Sequence, residues 1–276
     1  MLPHSFHFVP AHKPRFFERL GLLPADRYIF DLEDAVPPAE KQAARTFLHE
    51  FLRARKSDHY FVRIHEAGNR ERERDLHFLR GLDSVGLVIS KFSGRASLEG
   101  VERSRGARGR PLIFLIESFA SFSNLERALE GELVLPYGIG LGFEDMLSCV
   151  LHDADQLIPL LRHIRTTLAI WCRAHGVLAI DGMSSADESD PDFERLCVEG
   201  RSCGLHGKFS IHPRQVPIIN RVFSASPESV RWAQNIASLT GLRDDFGYER
   251  SGDVIITPPK VKKARYILEQ FHNKIL

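Results

Sequence analysis

Cysteine is scarce in this sequence: 4 residues among 276, at positions 149, 172, 197 and 203. They are too few and too scattered for a disulfide framework, and no C-x-x-C pair marks a zinc site. Reduced thiols in a cytoplasmic protein are therefore expected. An excess of either charge is also missing, with 37 Lys and Arg against 36 Asp and Glu. That balance argues against broad capture of nucleic acid or of an acidic membrane surface. The cations Lys260, Lys262, Lys263 and Arg265 read as a solvated helix face rather than a nucleic-acid contact. No apolar run approaches the ~18–20 residues of a membrane span. The start, Met1-Leu2-Pro3-His4-Ser5, has no charged stretch followed by an apolar one, so no secretory signal is expected. No G-x-S-x-G elbow and no Cys–His arrangement suggests nucleophilic catalysis.

What is present is a repeated alternation of short apolar runs with helical stretches. The runs are Phe6-His7-Phe8-Val9, Tyr28-Ile29-Phe30-Asp31-Leu32, Tyr60-Phe61-Val62-Arg63-Ile64 and Val85-Gly86-Leu87-Val88-Ile89. Leu112-Ile113-Phe114-Leu115-Ile116, Leu133-Val134-Leu135, Val177-Leu178-Ala179-Ile180 and Phe209-Ser210-Ile211 complete the series. Helical spacing is expected at 13–23, 39–55, 157–175 and 192–203. Near-continuous apolar strands between helices are the mark of parallel strands buried on both faces. The series predicts a (β/α)8 TIM-type barrel over 1–224. A doubly wound open sheet ranks lower, because the first turn, Pro10-Ala11-His12-Lys13, has no glycine. From 225 to 276 the pattern changes to a C-terminal helical extension, expected to pack on the barrel or on a neighbouring subunit. Ser226 caps its first helix with Pro227 at the first position. The charged stretches 69–75 and 103–110 read as solvated surface.

Chemistry in such a barrel collects at the C-terminal ends of the strands. Ionisable residues follow the apolar runs there: Asp31, Glu33 and Asp34; Arg63 and His65; Lys91; Glu117; Glu144 and Asp145; Asp181; and His212. Each alone could be a cap or a structural ion pair. Together they would ring one mouth. Hard carboxylate oxygens suit Mg2+ or Mn2+, which take one or two protein carboxylates and leave room for substrate. An arginine opposite such an ion would bind a carboxylate or steady an oxyanion. The glycine run 138–142 is either a tight turn or a place where backbone approaches substrate.

Several segments occur together in order: Phe8-Val9-Pro10, Asp31-Leu32-Glu33-Asp34-Ala35-Val36, Val62-Arg63-Ile64, Ile116-Glu117-Ser118, Gly142-Phe143-Glu144-Asp145, Ile180-Asp181-Gly182, and Ile211-His212-Pro213-Arg214-Gln215-Val216. This chain resembles the citrate lyase beta-chain and malyl-CoA lyase family, the HpcH/HpaI aldolase group, over nearly its whole length. The resemblance implies a barrel with a C-terminal extension, assembled as a homotrimer or hexamer. It implies Mg2+-dependent cleavage of a small hydroxy-dicarboxylic acyl thioester, of citramalyl-CoA, malyl-CoA or citryl type. Glu117 and Asp145 match the metal ligands. Arg63 matches the arginine that contacts the oxo-acid, and Glu33 and Asp34 match supporting acids. Gly142, Phe143 and Glu144 match the segment that holds the substrate carboxylate. Lys13 and Arg15 remain as phosphate contacts for a CoA or acyl-carrier thioester.

Four positions depart from the pattern. Thr257 stands where many relatives have an Asp that acts as acid or base in a neighbouring subunit. A hydroxyl does not serve as a base near neutral pH without activation, which disfavours thioester hydrolysis. His4 and Ala11 replace an arginine and a glycine, which makes an aldolase on a free oxo-acid one competing reading; the Thr257 replacement makes a non-catalytic metal-binding subunit the other. Ser90-Lys91 stands where relatives have Pro-Lys.

Overall fold

The computed structural model describes residues 2–55, 57–101, 109–130, 135–151, 154–243, 247–251 and 254–272. Eight parallel strands close into a barrel in sequence order. They are β1 (Ser5–Pro10), β2 (Arg27–Asp31), β3 (Tyr60–Ile64), β4 (Gly86–Ile89), β5 (Leu112–Ile116), β6 (Gly138–Leu141), β7 (Leu178–Asp181) and β8 (Gly207–Ser210). β8 pairs back to β1, with Phe6 beside Phe209, and so removes both sheet edges. The helices are α1 (Pro14–Phe17), α2 (Lys41–Ala54), α3 (Arg70–Phe78), α4 (Phe119–Ser123), α5 (Leu125–Glu130), α6 (Phe143–Leu147), α7 (Ile158–Ala174), α8 (Asp190–Ser202) and α9 (Gln215–Phe223). None of the described helices is long and apolar enough to cross a membrane.

Strand parity sorts the side chains into two cores. Phe6, Phe8 and Phe209 meet inside the barrel at edge-to-face angles. The alternate residues, such as Phe30 and Ala179, join the apolar layer beneath the helices. Phe17 of α1 stacks on Phe30 there, with ring centroids 5.0 Å apart. α2 lays Ala44, Leu48, Phe51 and Leu52 on the same layer, the spacing expected of one helical face.

Two expectations need correction. The sixth strand is Gly138–Leu141, the glycine run itself, whereas Leu133 and Val134 lie outside the described residues. The glycine is required at 140 because a Cβ there would collide with the Phe209 ring. The stretch 69–75 is not all solvated surface. Asn69 caps α3, and Arg72 and Asp75 are buried. Arg110, from the second charged stretch, is buried too, where it donates to the carbonyls of Leu79 and Leu82. Residues 103–108 lie outside the described set.

The contacts divide the chain into a unit spanning Pro3–Phe223 and a second containing Leu2 and the segment from Ser224 onward. In the second unit, α10 (Pro227–Thr240) and α11 (Pro258–His272) flank an antiparallel pair, β9 (Glu249–Ser251) and β10 (Val254–Ile256). Ser226 accepts from the Ser229 N–H and caps α10. Ala233, Ile236, Ile256, Val261, Ala264 and Leu268 form this unit's own core.

Candidate active site

A cavity of about 330 Å³ opens among the C-terminal ends of the barrel strands. Asp31, Asp34, Arg63, Glu117, Gly142, Phe143, Glu144 and Asp145 line it, with Phe8, Pro10, Met183 and Ile211. Its polar wall starts from register. β2 and β3 place Asp31 directly beside Arg63, and both side chains share the inward parity. Arg63 meets Asp31 bidentately, Nε to Oδ1 at 2.8 Å and Nη2 to Oδ2 at 2.5 Å. Its Nη1 reaches Glu33 at 3.1 Å and Asp34 at 3.4 Å. The fork is fixed in one plane, as bidentate guanidinium–carboxylate pairs are. Its ring of acids overrides the effect of burial and makes Arg63 hold its proton more firmly than an ordinary arginine. Burial alone would raise the Asp31 carboxyl, but Arg63 and the Glu33 and Ala35 N–H groups hold it below the usual range. Phe8 packs against the guanidinium, 5.2 Å from its ring centre.

Glu33 is buried, and burial raises its carboxyl above the usual value. Arg63 and the Ser90 hydroxyl partly offset that. Ser90 is fully buried and donates to Glu33 Oε2 at 2.7 Å. The departure at position 90 therefore supplies a donor to an acid beside the cavity.

Glu117 follows β5 and is 6% exposed. Its Oε2 accepts from the Lys91 N–H at 2.6 Å. Lys91 adopts a left-handed backbone (φ 48°) to aim that N–H, a conformation that costs a β-carbon-bearing residue roughly 1–2 kcal/mol. Burial pushes the Glu117 carboxyl up to about 7, and the charges of Glu33 and Asp145 add to the rise. Gly142 lies against it, and a Cβ there would sit 2.5 Å from Glu117 Cγ. Asp145, on the first turn of α6, is exposed on the cavity side. The half-exposed Lys91 ammonium is 3.9 Å from Glu66.

The cavity thus holds more acid than base. Among the described residues, no three His, Cys, Asp or Glu side chains form a ready-made metal cage. Mg2+ does not need one, since it takes one or two carboxylates and keeps waters or substrate oxygens. A buried, under-compensated Glu117 near Asp145 fits a hard divalent cation.

The sequence placed Arg63, Glu117, Asp145, Asp34, Gly142, Phe143 and Glu144 at one site, and the cavity brings them together. Glu33 stands behind this lining. Lys13 and Arg15 are not among the lining residues: Lys13 precedes α1 and Arg15 stacks on Phe16 at the surface. His4 is buried before the N-terminal start of β1, bonded through its N–H to Asp26 and through Nδ1 to the His206 carbonyl. It stands at the opposite end of that strand from Pro10, which lines the cavity. Sequence reasoning listed Asp31 and Lys91 among the strand-end residues and marked Ser90 as a departure, but gave none of the three a role in the site. For Asp31 the available signal was its two-residue offset from Ile29, which puts both on the inner face.

A family model for HpcH/HpaI aldolase/citrate lyase matches residues 4–213. A (3S)-malyl-CoA thioesterase of Cereibacter sphaeroides is 31% identical over 239 residues, covering 83% of this chain and 80% of that protein. An L-malyl-CoA/beta-methylmalyl-CoA lyase of the same species is 27% identical over 83% of this chain and 81% of its own length. Among solved structures, the CitE protein of Mycobacterium tuberculosis in complex with magnesium, acetoacetate and coenzyme A superposes with a TM-score of 0.76. It is 23% identical, covers 98% of both chains, and shares the fold. With the match running through every strand of the barrel, this chain belongs to the HpcH/HpaI aldolase/citrate lyase family.

Proposed function

We propose that this protein is a Mg2+-dependent carbon–carbon lyase that splits a small hydroxy-dicarboxylic acyl thioester into an oxo-acid and a shorter acyl thioester. The observation that carries the reading is the buried, under-compensated Glu117 near Asp145 in the same cavity as Arg63. Family membership and the lyases among its relatives support it. Mn2+ would serve in place of Mg2+ through the same oxygen ligands. The reading carries with it a cytoplasmic homotrimer or hexamer, and Lys13 and Arg15 as contacts for the phosphates of a CoA or acyl-carrier arm.

Glu117 and Asp145 would hold the ion. When bound, it supplies Lewis acidity to the hydroxyl and carboxylate oxygens of the hydroxy-acid half. The chain's own groups do the rest. Arg63, fixed by Asp31, donates to an oxygen that gains charge as the bond breaks. Asp34, in the cavity lining, puts an acceptor oxygen beside it suited to a proton leaving the hydroxyl, with Glu33 supporting Arg63 from behind. Gly142, Phe143 and Glu144 form the floor for the substrate carboxylate. The bond broken joins the hydroxyl-bearing carbon to the carbon next to the thioester. Its electron pair leaves on the thioester half as an enolate, which then takes up one proton. Thr257, in the C-terminal unit, carries a hydroxyl with no base's pKa, which favours lyase over thioester hydrolysis. His4 stands away from the cavity end of β1, so its replacement of an arginine gives no ground for a carrier-free substrate.

The test is oxo-acid release from malyl-, citramalyl- and citryl-CoA, with Mg2+ and with chelator. The reading expects glyoxylate, pyruvate or oxaloacetate to appear only with the metal. Equal release under chelation, or no release from protein shown to bind Mg2+, would refute it.

A further inference from the structure

The lining of the cavity is split between two arcs of the barrel. Asp31, Asp34, Arg63, Glu117, Glu144 and Asp145 all come from the ends of β2, β3, β5 and β6. The lining residues from β7, β8 and β1 are Met183, Ile211, Phe8 and Pro10. These three strands are neighbours in the closed order, so the apolar arc is continuous.

Strand parity produces the split. The ionisable residues of the apolar arc's strands point outward and are paired there. Asp181 meets Arg165 Nε at 2.8 Å and Lys208 Nζ at 3.0 Å, and all three are buried. His7 shares a 2.9 Å hydrogen bond with Ser210 on the same outer side. Burial holds that imidazole at a pKa of about 4, with the nearby His212 adding to the fall. It is therefore neutral at physiological pH. None of these charges reaches the cavity side.

The arc is also braced. Gln215 is 2% exposed and bonds to two segments at once. Its Oε1 accepts from the N–H groups of Ile211 (3.0 Å) and His212 (3.2 Å). Its Nε2 donates to the carbonyls of Ser185 (3.1 Å) and Ser184 (3.4 Å), next to Met183. Arg214 adds donors to the Ala186 and Glu188 carbonyls. One buried side chain thus ties the turn carrying Ile211 to the loop carrying Met183. Both apolar side chains keep surface open to the cavity, with Ile211 39% exposed.

We infer that Met183 and Ile211, braced by Gln215 and facing Phe8, form a subsite for a neutral alkyl substituent and determine specificity for it. The inference rests on the lyase reading for its substrate. The reacting carbon of a hydroxy-acid thioester carries four groups. Its carboxylate and hydroxyl belong on the ionic arc. Its thioester-bearing carbon leads outward through the open mouth. The fourth substituent is left for the apolar arc. A hydrogen leaves that arc uncovered. A carboxymethyl group would place an unpaired charge against it, which is costly in a low-dielectric wall. A methyl group covers it and is worth about 10–200-fold in discrimination.

The experiment compares kcat/KM for citramalyl-CoA, malyl-CoA and citryl-CoA in the wild type, Met183→Ala and Ile211→Ser. The wild type should prefer the methyl-bearing substrate by about tenfold or more. Ile211→Ser should cut the methyl-to-hydrogen ratio about tenfold, and Met183→Ala should cut it less. Titration of pyruvate, glyoxylate and oxaloacetate into the Mg2+-loaded protein gives a second readout, independent of turnover. Tighter pyruvate binding that falls in Ile211→Ser upholds the subsite even if no thioester is cleaved, in which case the lyase reading alone fails. Equal losses on all ligands, or a wild type that prefers the carboxymethyl or hydrogen form, would overturn the inference.

Discussion

Asp31 and Asp181 are the same residue in the same local setting. Each ends a buried strand, and each accepts from an arginine Nε at 2.8 Å. Burial alone would raise both carboxyls, and the neighbouring cations bring both below the usual range. They differ in face. Asp31 shares the inner parity of Ile29 and orients Arg63 at the cavity. Asp181 turns outward beneath α8, where a Cβ on Gly200 would come within 2.7 Å of its Oδ2. There it joins Arg165 and Lys208, and Arg165 lies 5.1 Å over the Phe143 ring. A strand-end acid thus becomes part of a site or part of a scaffold according to one residue of parity. The ion-pair chemistry is shared.

Glu117→Ala should abolish metal-dependent turnover, by about 10³-fold or more, on the scale of losing a main transition-state stabiliser. Its melting temperature should stay level or rise, because a buried and under-compensated acid has been removed. A steep fall in melting temperature would mean that Glu117 belongs to the scaffold.

Asp181→Asn should cost roughly 3–5 kcal/mol, because it leaves the buried Lys208 and Arg165 cations unbalanced. The kcat of the folded fraction should change only a few-fold. Asp31→Asn should show the reverse weighting, with kcat down about 10–100-fold, the usual scale for losing an orienting partner. Chemical denaturation and steady-state kinetics on the two variants decide the ranking. Equal kcat losses would erase the distinction between the two faces.

Gly142→Ala should cut kcat/KM about 10²-fold with little change in stability. The new Cβ would sit 2.5 Å from Glu117 Cγ and push that side chain aside, and small misplacements of reacting groups are costly. Unchanged kinetics would show that Glu117 relaxes without consequence.

The smallest effect is one of pH. His7 is buried with its pKa lowered to about 4 from an ordinary 6.5. Between those values the unfolded chain binds the proton and the folded chain does not. Its contribution to stability is therefore complete above about pH 6.5 and lost as pH falls toward 4, on the order of 3 kcal/mol in all. His206, which burial also lowers to about 4, and Glu117, raised to about 7, titrate in both proteins. Denaturant unfolding of wild type and His7→Gln at pH 7, 5.5 and 4.5 should therefore show a stability gap between the two that narrows as pH falls. An identical decline in His7→Gln would assign the slope elsewhere.

The barrel was legible because eight apolar runs announce buried parallel strands. The sixth was misplaced because Gly138 and Gly140 look like loop residues, and only their neighbours across the barrel, Ile180 and Leu178 for Gly138 and the Phe209 ring for Gly140, explain them. The burial of Arg72, Asp75 and Arg110 was invisible because it depends on partners far along the chain, such as Arg45 for Asp75. Arg63, Glu117 and Asp145 were legible through family motifs. Asp31 stood in the same motif and at the expected mouth but received no role, since a bidentate pairing is a fact of strand register. Ser90 showed only as a departure from the Pro-Lys of relatives, because its meaning is a hydrogen bond to Glu33 across 57 residues.

Whether Glu117 holds the metal is decided by a calorimetric titration of Mg2+ into the wild type and Glu117→Gln, with folding of both verified beforehand. One saturable site is expected in the wild type, with at least a hundredfold weaker binding in the variant. Equal affinity in the two proteins would place the metal, and the chemistry built on it, somewhere other than the ionic arc.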